Sequence, residues 1–153
     1  MVEESSGNAS LRTLWVGAAL TTVAAGLFPR LNAVIYEDVP IWRLDPEARV
    51  LFPVVLLLSL SVFVLLGRWA WRVNRGNNRP ARVGLICGGL SIVGVVAFFL
   101  SLPIMLGGLA LTLGLEGRKR APSAGGLGQS NFAIALGCLG VVVGAAIWLL
   151  AAP

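Results

Sequence analysis

The stretch that decides the fold is 83-VGLICGGLSIVGVVAFFLSLPIMLGGLALTLGL-115, thirty-three residues without a charge. A bilayer core of about 30 Å needs about 20 apolar residues in a helix. As one straight helix the stretch is roughly 50 Å long at ~1.5 Å per residue, more than tilt absorbs. Ser101-Leu102-Pro103 lies near its middle. Proline lacks a backbone donor and pushes the preceding residue away from helix. Two readings result. Either this is a single kinked span, since membrane helices tolerate proline, or it is two short helices, 83–100 and 103–115, joined by a tight turn.

Charge decides between them. Working outward, further apolar stretches give spans at about 11–28, 50–71 and 132–150, with an outer loop at 29–49 and inner loops at 72–82 and 116–131. The chain carries 12 Lys and Arg, and cytoplasmic segments of membrane proteins are enriched in both. With five spans and the N-terminus inside, nine of these cations fall inside and Arg30, Arg43 and Arg49 fall outside. With four spans, Arg118, Lys119 and Arg120 move outside and the split becomes six to six. The expectation is therefore an all-α integral membrane protein of five transmembrane helices, N-terminus inside and C-terminus outside. Trp15, Trp69 and Trp71 then lie at inner boundaries and Trp42 and Trp148 at outer ones, where indoles favour the headgroup zone. The first span reads as retained: Glu3 and Glu4 oppose Arg12 in its leader, and Phe28-Pro29-Arg30 lacks the small residues of a cleavage site.

Composition agrees. Apolar residues make up 57% of the 153 and charged residues 12%, too few charges to cover a water-soluble domain. With no His and only seven acids, most metal and acid–base chemistry is excluded before any motif is sought. No span interior holds an ionisable residue of the kind that pumps, proton-coupled carriers and voltage sensors place there. A nucleophilic Ser or Cys would lack its usual base. The polar residues within spans are Thr21, Thr22, Ser59, Ser61, Ser91 and Thr112, each able to bond back to its own helix. No catalytic, cofactor-binding or metal-ligating residue is assigned.

The connecting segments carry the remaining chemistry. The outer loop mixes charge and aromatics, and Tyr36, Glu37, Asp38, Trp42 and Arg43 are its candidate docking residues for a partner. Asp45-Pro46-Glu47 reads as the start of the second helix, with Asp45 as N-cap, and Pro53 is placed to kink that helix. Around the first inner loop, Arg68, Trp69, Trp71, Arg72, Arg75, Arg79 and Arg82 suit lipid headgroup contact and orientation. Beside a span, this basic character speaks for topology and not for nucleic acid. The second inner loop contains APSAGGLGQS, which lacks a phosphate-binding motif and reads as a flexible linker.

Small residues recur at spacings of three and four: Gly84, Gly88 and Ser91 in the third helix, Gly107, Ala110 and Gly114 in the fourth, Gly137, Gly140 and Gly144 in the fifth. In lipid such faces let backbones approach closely and associate by dispersion. These three helices are expected to form a compact bundle, with the Leu- and Val-rich second helix at its periphery. Cys87 and Cys138 fall at similar depth and read as packing residues, two thiols being too few for a zinc site.

From Ala81 to Leu150 the run ARVGLICGGLSIVGVVAFFLSLPIMLGGLALTLGLEGRKR, a Gly/Ser-rich linker, then NFAIALGCLGVVVGAAIWLL, resembles small glycine-rich membrane proteins of unknown function found in high-GC bacteria. The resemblance implies a helical hairpin with a proline-containing turn, one further helix and a bacterial plasma membrane; it brings no catalytic residues. The expected role is a non-enzymatic accessory or scaffold subunit that meets lipid and other membrane proteins or itself. The alternative is a small oligomeric transporter or channel component.

Overall fold

The computed structural model describes residues 2–37, 46–71, 78–95 and 101–150, with side chains for all of these except 2–11, 46–48, 51, 52 and 71. The described residues form five helices: α1 (Val2–Tyr36), α2 (Pro46–Trp71), α3 (Arg79–Val93), α4 (Leu102–Ala124) and α5 (Leu127–Leu150). Three helical stretches, Arg12–Tyr36, Pro53–Ala70 and Leu127–Leu150, are long and apolar enough to cross a membrane. The α3 helix, at 15 residues, is only about 22 Å long. The apolar part of α4 ends at Glu116 and the basic triplet Arg118, Lys119 and Arg120.

The helices alternate in direction. Gly67 of α2 packs on Leu14 of α1, and Gly117 of α4 on Ala81 of α3. At the other end of the hairpin Gly94 lies against Leu102. The long uncharged stretch is therefore two antiparallel helices and not a single kinked one. Ser101, the N-cap of α4, takes a left-handed φ of 54° and ψ of 22°, with Pro103 in the first turn where its missing donor costs nothing. The apex of this hairpin lies level with Ala25 of α1 and, through Pro103, with Gly144 of α5, so both neighbours run on past it.

Two expected loops are largely helical. α1 continues through Pro29 to Tyr36, so the first part of the segment 29–49 belongs to it. Proline 29 supplies no N–H to the carbonyl of Ala25, and the Ser101 hydroxyl donates to that carbonyl instead, at 3.1 Å. The linker at 116–131 is also helix except for Gly125 and Gly126, whose φ values of 68° and 80° make a two-residue turn. Glycine is needed at both, because a Cβ resists that backbone. Asp45, the expected cap of α2, lies outside the described residues, and the helix begins at Pro46.

The core has two layers. Near the α1 N-terminal half, Leu14, Ala18, Phe63, Val83, Cys87, Leu109 and Leu113 form one cluster; nearer the hairpin apex, Ala25, Ile104 and Met105 form another. α4 is central, packing on α1, α3 and α5, while α2 packs chiefly on α1.

Candidate functional site: the basic end of the bundle

The nine small residues of α3, α4 and α5 come together. A Cβ at Gly137 would stand 2.7 Å from both the Gly107 carbonyl oxygen and the Leu111 nitrogen, so α4 and α5 touch backbone to backbone. Gly84 faces Ala110 and Gly114, Gly88 faces Ala110 and Leu136, and Gly114 faces Ile134. Ser91 packs on Gly140, and Gly144 on Ile104. The α1 contact with α4 follows the same rule, with Thr112 seated on Gly17 and Thr21 on Gly108.

One end of this bundle collects cations. The N-termini of α3 and α5 and the C-termini of α2 and α4 meet there, beside Arg12 of α1. Arg12, Arg68, Arg79, Arg82, Arg118, Lys119 and Arg120 all lie at this end, and all but Arg79 and Arg120 are exposed. Arg79 stacks over the exposed Trp69 ring at 5.0 Å, joining the end of α2 to the start of α3 by a cation–π contact. Trp15 is exposed at the same level. The Trp71 side chain and Arg72 and Arg75 lie outside the described residues.

Asn78 organises this end. It is buried; its Oδ1 accepts from the Ala81 nitrogen at 3.4 Å, while its Nδ2 donates to the carbonyls of Gly117 at 2.7 Å and Gly125 at 2.8 Å. One side chain thus caps α3 and ties the α4–α5 turn to it. The signal is present in the sequence as Asn78-Arg79-Pro80, an N-cap residue before a first-turn proline. Ser130 closes the other side of the turn, its hydroxyl donating to the Gly126 carbonyl at 3.1 Å.

Glu116 is buried, contrary to its reading as a loop residue. Its Oε1 accepts from Arg120 Nε at 3.2 Å, and its Oε2 lies 3.7 Å from Lys119 Nζ. The spacings of three and four place these groups on one helix face, which carries α4 through its own basic triplet. Lys119 stays largely exposed and also donates to the Thr13 hydroxyl at 3.4 Å.

The opposite end is held by α1 side chains that cap α5. Asn32 Nδ2 donates to the Trp148 carbonyl at 2.5 Å and the Tyr36 hydroxyl to the Leu149 carbonyl at 3.0 Å. Carbonyls in the last turn of a helix have no intrahelical partner. Tyr36, expected as a docking residue, is therefore engaged in a clasp, though its ring is exposed; Glu37 is exposed beside it. Asp38, Trp42 and Arg43 lie outside the described residues.

Within the helices, Ser91 and Thr112 do bond back, to the carbonyls of Gly88 at 2.7 Å and Gly108 at 2.8 Å. The buried hydroxyls of Thr22 and Ser59 make no hydrogen bond. Cys87 is buried and Cys138 exposed, both as free thiols. Among the described residues no three His, Cys, Asp or Glu side chains gather as a metal site would require. No protein-family model, curated protein or solved structure matches the chain.

Proposed function

We propose that this chain is a non-enzymatic, five-span membrane protein that serves as an accessory or scaffold subunit, associating with a larger membrane assembly or with itself. Its basic end and N-terminus face the cytoplasm and its C-terminus faces outward. The resemblance of residues 81–150 supports a bacterial plasma membrane as its site. The observation that carries the role is the closure of α3, α4 and α5 by backbone contact, α3 on α4 at Gly84 and α4 on α5 at Gly107 and Gly137. Such an interior is filled by chain and not by groups that bind or react. The exposed faces are apolar, as at Leu20, Val23, Leu57 and Leu65, and suit lipid or another membrane helix. The gathering of cations at one end supports the orientation. The short α3–α4 hairpin crosses by local thinning of the bilayer, at fractions of a kcal/mol per Å.

Affinity purification from native membranes in mild detergent tests the role. Stoichiometric membrane partners, or a defined oligomer, are the expected result. A protein isolated always alone and monomeric overturns it.

A second reading, a transporter or channel component whose pathway forms in an oligomer, draws on the unpaired hydroxyls of Thr22 and Ser59. Cysteine accessibility scanning along α1 and α2 separates the two. Water-accessible positions around 22 and 59 favour the pathway, and uniform inaccessibility removes it.

A further inference from the structure

Side chains near the C-terminal end of α1 hold the end of α5. Asn32 and Tyr36 clasp the carbonyls of Trp148 and Leu149 there. Toward the basic end the α4 side chains that lie between these two helices become progressively more exposed. Ile104, Leu111, Leu115 and Arg118 follow one another at spacings of seven, four and three, a single helical stripe. Along it exposure rises from 1% at Ile104 through half-buried Leu111 to 40% at Leu115 and exposed Arg118. This gradient outlines a tapering apolar crevice, about 20 Å long at ~1.5 Å per residue, covered at Ile104 and open among cations. Helical phase puts Thr13 and Leu20 on its α1 wall and Ile134 and Cys138 on its α5 wall.

The geometry points to a binding site for one anionic phospholipid, with an acyl chain along Leu111 and Leu115 and the phosphate between Arg118 and Lys119. Charge complementarity selects the occupant. Lys119 is steadied at the mouth by Glu116 Oε2 at 3.7 Å and Thr13 at 3.4 Å, yet remains 59% exposed toward a ligand. A helix, 10–12 Å wide with its side chains, does not seat in a crevice whose walls touch at one end, whereas a lipid chain does. The inference rests on the membrane reading above and adds to it a ligand class and a place.

The test uses the full chain in nanodiscs of phosphatidylcholine with a minor share of phosphatidylglycerol, with retained lipid read by native mass spectrometry. Wild type is expected to retain phosphatidylglycerol several-fold over phosphatidylcholine. The Arg118→Gln/Lys119→Gln variant is expected to lose that preference, and so is Leu115→Trp, which plugs the crevice with its charges intact. Arg68→Gln/Arg82→Gln removes the same charge elsewhere and is expected to retain it. Equal loss in both double variants, or no preference in wild type, overturns the site. So does efficient disulfide cross-linking of two copies through Cys138, which would mean that a second chain fills the crevice. Absence of the wild-type protein from the membrane fraction would instead sink the membrane reading itself, so the two failures are distinguishable.

Discussion

The Ser101 hydroxyl donates to the carbonyl of Ala25, the one carbonyl of α1 that Pro29 deprives of its helical donor. A residue at the hairpin apex thereby completes a helix broken by sequence 76 positions away. The two prolines of this region act together: Pro103 helps turn the chain, and the turn brings the hydroxyl that Pro29 requires.

Ser101→Ala keeps the Cβ and the left-handed backbone but leaves the Ala25 carbonyl buried and unpaired. Such a loss costs about 1–3 kcal/mol. In a Pro29→Ala background, where residue 29 has its own N–H, the same substitution should cost less than half as much. A double-mutant cycle by reversible unfolding in mixed micelles measures the difference, and additive costs would sever the link.

Gly137→Ala places a methyl 2.7 Å from the α4 backbone, which cannot rotate away. A loss near the upper end of about 1–3 kcal/mol is expected. Gly89→Ala is the control, because a Cβ there meets nothing within 4 Å. It should be neutral or gain up to about 1 kcal/mol from helix propensity. The same unfolding assay reads both.

Asn78→Ala removes the α3 cap and both ties to α4 and its turn. Destabilisation of about 2 kcal/mol or more is expected from the stranded polar groups. Limited proteolysis gives the local readout, with cleavage near Gly125 appearing well before cleavage elsewhere. A turn that stays resistant would show that Ser130 alone secures it.

Ser59→Ala should stabilise. The hydroxyl is buried without a partner, and removing it relieves a desolvation cost of about 1 kcal/mol or more. A destabilised variant would reveal that the hydroxyl is satisfied in the native assembly, as a water-lined or oligomeric pathway requires.

Reporter tags at Gly76 and Gly126 should appear on the same side of the membrane, with a tag after Pro153 on the opposite side. Labelling in intact cells decides. Opposite placement of the first two tags would contradict the hairpin arrangement in the bilayer.

The helical class, the apolar surface and the break near Ser101 were legible in the chain, because each follows from local chemistry: run length, lack of charge, and a proline without a donor. The small-residue spacings of α3, α4 and α5 were legible as faces too, since helical period alone sets them. Four features were not. Pro29 and the Gly/Ser-rich linker both carried the local marks of loops, yet each lies in or beside continuous helix. Partners distant in sequence, Ser101 for one and Asn78 for the other, satisfy the backbone groups that local rules leave stranded. Glu116 fell at the start of the expected inner loop 116–131, and only the extension of α4 against its neighbours buries it. The crevice between α1 and α5 belongs to no segment at all. Periodicity reports which faces of a helix are apolar; which of those faces a second helix covers depends on crossing geometry, and that arises only when the helices pack.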